Sequence, residues 1–235
     1  MKDWRDAEIA GKFLTGIRGA IPLAATQFEI ISRIVKEFCP TPRVFLDLGC
    51  GDGILGRYIH DQYPDAVGVY LDYSEPMITE LQKKLVHNSK VLVEDYSNSQ
   101  WLNTVEDTRP FDLIISGYSI HHLQHEEKKV LYGQIFDLLK PGGLFLNLEH
   151  VASETPEIEK IHDKIFIESI AEYQKESKSE ETVRMEYYDR DDKVLNILEK
   201  VEVQCGWLKK TGFNNVDCYF KIFELALFGG TKPMS

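Results

Sequence analysis

Five short apolar runs recur in the first 150 residues, each parted from the next by a helical pattern or a polar turn, and this alternation narrows the fold more than any other feature. Val44–Leu48, Val67–Leu71, Lys90–Val93, Phe111–Ser116 and Leu144–Leu148 read as strands. Ile54–Tyr63, Glu75–Val86 and Glu126–Leu139 read as helices, Pro76 standing where a first turn tolerates it and Lys140-Pro141-Gly142-Gly143 stopping the third. The apolar runs do not alternate in polarity, as expected of strands covered on both faces. Strand–helix alternation at this pitch predicts an α/β fold with a mostly parallel sheet and helices on both sides.

Two segments stand outside the alternation. Residues 15–38 carry helical periodicity (Phe28, Ile31, Ile34, Val35, Phe38) and predict, within residues 1–40, an N-terminal helical cap. Residues 151–193 hold thirteen acids and seven bases, yet Ile161, Ile165, Phe166 and Ile170 mark one apolar helical face. This predicts a helical lid inserted over the carboxyl ends of the strands of a single 1–235 domain. A helix over 194–211, stopped by Gly212, and a closing strand pair at Val216–Phe220 and Phe223–Phe228 complete the chain.

Composition bears mainly on partners and compartment. The 235 residues include 27 Lys and Arg against 38 Asp and Glu, a formal charge of −11. An acidic balance disfavours a nucleic acid partner, since phosphate-gripping proteins usually carry a basic field. No apolar run approaches the ~18–20 residues of a membrane span, and the charged N-terminus lacks a signal-peptide core. Cys39, Cys50, Cys205 and Cys218 form no CxxC pair, so reduced thiols and a cytoplasmic setting are expected.

The densest chemical information lies in Asp47-Leu48-Gly49-Cys50-Gly51-Asp52-Gly53, between the first strand and its helix. Glycines there let the backbone turn sharply and approach a ligand. Gly51 to Gly56 also satisfies GxGxxG, the dinucleotide fingerprint, with Asp72 following. Electrostatics separates the two ligands. A dinucleotide would set a pyrophosphate beside the carboxylates of Asp47 and Asp52, whereas a sulfonium with an α-amino group suits them.

With these residues in view, DLGCGDG resembles the first motif of the class I S-adenosylmethionine-dependent methyltransferases. Asp72 and Tyr73 in VYLDYS match the family position of the acid on the ribose hydroxyls. Asp95 in VEDYS matches the acid at the adenine amine, with Tyr96 beside it. SGYSIHHL, opening at Ser116, matches the motif after strand four, and LKPGGLF the turn before strand five. The resemblance spans about residues 40–150, with the motifs in order. It implies a Rossmann-like seven-stranded sheet whose last strand is antiparallel. It also implies S-adenosyl-L-methionine as cofactor, S-adenosyl-L-homocysteine as product, no metal, and a small-molecule acceptor. The cofactor set it implies is Asp47, Gly49, Cys50, Gly51, Gly53, Asp72, Tyr73, Asp95, Tyr96 and Ser116. Arg18-Gly19-Ala20-Ile21-Pro22 is similar to the N-terminal segment of the carboxy-S-adenosylmethionine synthases, which makes Arg18 a candidate for a cofactor or substrate carboxylate.

Tyr118, His121 and His122 follow the fourth strand, where family substrates meet the cofactor, and are the catalytic candidates: a histidine suits general base work near neutrality. Each also has a plain packing role open to it. His121, His122 and His125 show no metal-ligand spacing. Arg184 and Arg190 could clamp a carboxylate or merely face solvent. A carboxy-S-adenosylmethionine-type synthase or tRNA-modification relative, a nicotinamide enzyme, and a non-catalytic cofactor-binding partner stay open as alternatives. The oligomeric state, including a homodimer, stays open too.

Overall fold

The computed structural model describes residues 4–12, 18–85, 87–189 and 195–234. After α1 (Ala7–Lys12) and a 3-10 turn at Arg18–Ala20, helix α2 (Ala24–Phe38) leads into the sheet. There follow β1 (Val44–Leu48), α3 (Ile54–Gln62), β2 (Val67–Asp72), α4 (Glu75–Gln82), β3 (Ser89–Val93), α5 (Trp101–Val105), β4 (Phe111–Gly117), α6 (His125–Leu138) and β5 (Leu139–His150). Then come α7 (Pro156–Tyr173), α8 (Glu180–Tyr188), α9 (Val201–Thr211), β6 (Asn214–Ile222) and β7 (Leu225–Thr231). The seven strands form one sheet in the order β3-β2-β1-β4-β5-β7-β6, with β7 antiparallel to both its neighbours and the other pairs parallel.

The period-2 geometry of a strand explains why the apolar runs showed no alternation. Leu46, Leu48, Val69, Leu71 and Ile114 belong to one buried cluster; Phe45, Tyr70, Leu113, Ile115 and Leu144 belong to the other. Successive residues point to opposite faces, and both faces are covered, so most positions carry an apolar side chain. Burying such side chains stabilises by roughly 1.5–3 kcal/mol each.

Local signals set the helix ends. Ser74 accepts from the Met77 amide at the start of α4, and Gln124 with Glu127 forms a capping box on α6. Gly212 closes α9 at φ 112°, in the left-handed region.

Three expectations shift. The last helix begins at Val201, because residues 195–200 run as a strap whose Ile197 amide donates to the His121 carbonyl. The helix α5 was not foreseen; Trp101 and Val105, both fully buried, dock a segment too short to show a period. On α7 the buried face is turned about one residue from the expected one. His162, Asp163, Phe166, Ile167 and Ile170 are buried while Ile161 is half exposed. Tyr187 of α8 draws Asp163 inward by donating to its Oδ1 at 2.7 Å.

The register places the site. Leu48 pairs with Leu71 on one side and Ser116 on the other, so β1, β2 and β4 end level. The sheet order reverses between β1 and β4, and in open α/β sheets ligands bind beyond the carboxyl ends of the strands at that reversal.

Candidate active site

A cavity of about 330 Å³ opens at that point. Its floor is the loop after β1. The Gly49 and Cys50 amides donate to the Leu71 carbonyl at 2.8 and 3.0 Å, folding the loop across the end of β2. Gly49 and Gly51 stand at φ 67° and 55°, left-handed values that disfavour any side chain with a Cβ. A Cβ on Gly51 would enter open space, so its backbone is bare toward a ligand.

Asp72 locks this loop to β2. Its Oδ2 accepts from Gly51 N and its Oδ1 from Ser74 N, each at 2.8 Å. Burial pushes its carboxyl above the usual range, opposed by those amides. Asp47, on β1, accepts from Gly56 N at 2.8 Å. Tyr96 is buried over the loop and shares a 2.5 Å hydrogen bond with Ser119. Asp95 is half-buried, with Arg5 at 3.6 Å.

Asp47, Gly49, Cys50, Gly51, Asp72, Tyr73, Asp95, Tyr96, Tyr118 and His122 all line the cavity. Gly53, Ser116 and His121 lie outside its lining. Gly53 starts α3 against Leu81, and Ser116 donates to the Leu48 carbonyl. The Arg18 side chain and Arg190 lie outside the described residues, and Arg184 pairs with Glu180 on the exposed face of α8. Asp52 differs from the expectation of a bare carboxylate beside the loop. Asp52 is buried and lines the cavity but pairs with Lys84 at 2.8 Å and Arg57 at 3.9 Å, so its charge is compensated within the protein. By the same measure Asp95 faces Arg5, so the expected preference for a cation rests on Asp47 and Asp72.

The far end of the cavity is aromatic and apolar: Ile21, Ala24, Phe28, Tyr118, Leu148, His122 and Trp4. Tyr118 has φ 52°, an uncommon value for a bulky residue, and is held there by its own amide to Leu148 O at 2.7 Å and its hydroxyl to Gln27 Oε1 at 3.0 Å. Burial pushes its phenol up, so it stays protonated and can donate.

The two histidines have parted roles. The Trp4 indole donates to His122 Nε2 at 3.0 Å, which puts the His122 proton on Nδ1, facing Leu195 O at 3.2 Å. His121 turns under the cavity, its Nδ1 at 2.6 Å from Glu149 Oε1, both groups buried. Fully buried Lys128 binds the carbonyls of His121, Leu123 and Ile197. Trp4, Gln27, Lys128 and Glu149 carried no motif, because each gains its role through a partner distant in sequence, and Ser119, inside SGYSIHHL, gains its role through Tyr96.

Glu149 gives a pH prediction. Burial pushes its carboxyl from 4.5 up to about 7, while burial drives the His121 imidazole well below its ordinary value. The folded carboxyl holds a proton that the unfolded one has lost, so its contribution is full below 4.5 and is lost as pH rises through about 7. The contribution of His121 runs the opposite way. Glu149→Gln removes only the first. The difference in urea-unfolding free energy, wild type minus variant, falls between about pH 5 and about pH 7 by at most ~1.4 kcal/mol per unit. A constant difference refutes the assignment.

A family model described as a methyltransferase domain matches residues 46–145, the stretch that builds the cavity floor. An uncharacterized methyltransferase of Anoxybacillus flavithermus is 30% identical over 153 residues, which cover 63% of this chain and 68% of that protein. The chain belongs to the class I S-adenosylmethionine-dependent methyltransferases. A carboxy-S-adenosyl-L-methionine synthase of Desulforapulum autotrophicum aligns with 96% of this methyltransferase and 89% of its own length at 23% identity. The human N-acetylserotonin methyltransferase, solved with its S-adenosylmethionine, shares the fold at TM-score 0.62 and 14% identity. That match covers 98% of this chain and 57% of the human one, so the methyltransferase spans little more than half of that structure. Among the described residues no helix is long and apolar enough to cross a membrane.

Proposed function

We propose that the cavity binds S-adenosylmethionine along its floor and that the aromatic end holds a small-molecule methyl acceptor. The observation that carries this reading is the joining, in one cavity, of a bare left-handed glycine loop, four aspartates and an apolar aromatic chamber. The residues fit the cofactor. A Cβ at Gly51 would project into open space, and the acids suit a sulfonium and an amino group rather than a diphosphate. When bound, the cofactor supplies a methyl group already activated by the positive sulfur.

The residues then have distinct tasks. Gly49 and Gly51 admit the methionine portion, and Asp47 meets its amino group. Asp72 accepts the ribose hydroxyls while its two amide contacts keep the loop in place. Asp95 takes the adenine amine beside Tyr96. Tyr118, fixed by Gln27, orients the acceptor, and the apolar walls exclude water. The Trp4 indole caps the one lone pair of His122, which favours an acceptor that needs no base from these two histidines, such as a thiolate. Helices α7 and α8 form a lid over this end, packing with Ala20, Ile21 and Tyr118.

Calorimetry with S-adenosylhomocysteine tests the reading: no binding by the folded protein removes it. Asp72→Ala weakens that affinity by roughly 1–3 kcal/mol, the scale of a charged hydrogen bond. Unchanged affinity removes the ribose assignment. A second reading, a carboxy-S-adenosylmethionine-type synthase, is favoured by the nearly full-length match to that synthase. The mass of the co-purified nucleoside separates the two.

A further inference from the structure

Below the aromatic end of the cavity, three elements bring together side chains that the methyl transfer does not use. His150 ends β5, His162 lies on the second turn of α7, and Glu224 sits in the turn between β6 and β7. Glu224 Oε2 faces both imidazoles, at 2.8 Å from His150 Nε2 and 3.6 Å from His162 Nε2. One potential ligand atom from each residue lies within 4.8 Å of the other two. Glu224 and His162 are almost wholly buried, while the His150 side chain keeps 19% of its surface, a route for an ion to enter. None of the three lines the cofactor cavity.

We propose that His150, His162 and Glu224 form a site for a divalent transition-metal cation of the zinc type. The spacing fits. Zinc bonds of about 2.0–2.1 Å in tetrahedral geometry set ligand atoms roughly 3.3 Å apart, and the two carboxylate distances, 2.8 and 3.6 Å, bracket that value. The donor chemistry fits too, since two imidazoles and a carboxylate suit zinc and its first-row neighbours rather than calcium or magnesium. A cation seated among the three groups takes Glu224 Oε2 and an imidazole nitrogen of each histidine as ligands. Three protein ligands leave a fourth position for water or another small ligand.

The consequence is mechanical. The ion ties α7 to the end of β5 and to the last hairpin. Through Phe166, Ile167 and Ile170 that helix packs with Tyr118. Metal binding therefore braces the wall of the acceptor chamber and enters no step of the methyl transfer. Because the ion binds only the folded site, it also raises the melting temperature.

The test uses the untagged full chain, stripped with a chelator and dialysed. Titration with zinc chloride in a calorimeter gives one equivalent bound and a higher melting temperature. His162→Gln and Glu224→Gln, checked for folding by circular dichroism, bind zinc at least about ten- to a hundred-fold more weakly, the range that even supporting residues command. Both lose the zinc-dependent melting shift. Cobalt(II) added to the wild-type protein gives the intense visible absorption of a low-coordinate ion, a readout independent of any variant. Absence of zinc uptake by the wild type, absence of the cobalt bands, or full affinity in both variants overturns the site.

Discussion

Gly49→Ala abolishes measurable cofactor binding at concentrations that saturate the wild type. Two costs fall on this position together. Its φ of 67° is a conformation in which a Cβ meets the following carbonyl, at about 1–2 kcal/mol. The new Cβ also lands on Ser119 Oγ and Ser119 Cβ, within van der Waals contact. Overpacking of this kind costs about 1–3 kcal/mol. Ser119 cannot yield freely, because its hydroxyl is bound to Tyr96 and the chain beside it is pinned at Tyr118. The loop answers by moving off Leu71, and the floor is lost. The melting temperature falls by several degrees, at about 2–4 °C per kcal/mol for a chain of this size. Adding Ser119→Gly relieves the clash and recovers part of the stability, and the double-mutant cycle shows a coupling of about 0.5–3 kcal/mol. Wild-type affinity for S-adenosylhomocysteine in the single variant would rule out this geometry.

Lys128→Met destabilises the fold by about 2–5 kcal/mol, because two carbonyls lose their buried donor. Methionine replaces the stem of the side chain but not the ammonium. The carbonyls of Leu123 and Ile197 then lose this donor in a dry interior, where each unsatisfied group costs about 1–3 kcal/mol before relaxation, while the His121 carbonyl keeps the Ile197 amide. Burial pulls the Lys128 ammonium toward neutrality, and Glu149 and Glu199 support its charge. The loss is local as well as global. Lys128 joins the turn that carries His121 and His122 to the strap before α9, so amide exchange in residues 120–123 and 195–197 rises beyond the global change. Uniform exchange throughout the chain would show that the lysine does not brace this turn.

Both predictions concern contacts whose partners lie far apart, and the division between sequence and tertiary structure runs along that line. The strands at Val44–Leu48 and Phe111–Gly117, the glycine turn and the capping signals are short-range properties. They follow from side-chain period and from backbone angles that one or two residues demand, and so they can be read from neighbouring letters. Asp47 and Asp72, at the ends of β1 and β2, stood out beside the glycine turn, whereas Asp95, just past β3, was legible only through the family resemblance.

Which way those groups face was decided elsewhere. Asp52 is ion-paired because the turn after α4 brings Lys84 across to it. His121 and His122 are consecutive, yet one meets Glu149 and the other Trp4. The buried stripe of α7 turned toward His162 and Asp163 because Tyr187 and Glu224 wait there, not because isoleucine is less apolar than histidine. The residues alone established a parallel α/β sheet with a ligand loop at its centre, since backbone conformation and apolar period are local quantities. Only the closed fold settled the partners of each polar side chain, because a buried donor or carboxylate takes whatever group the packing of distant segments brings within three ångströms.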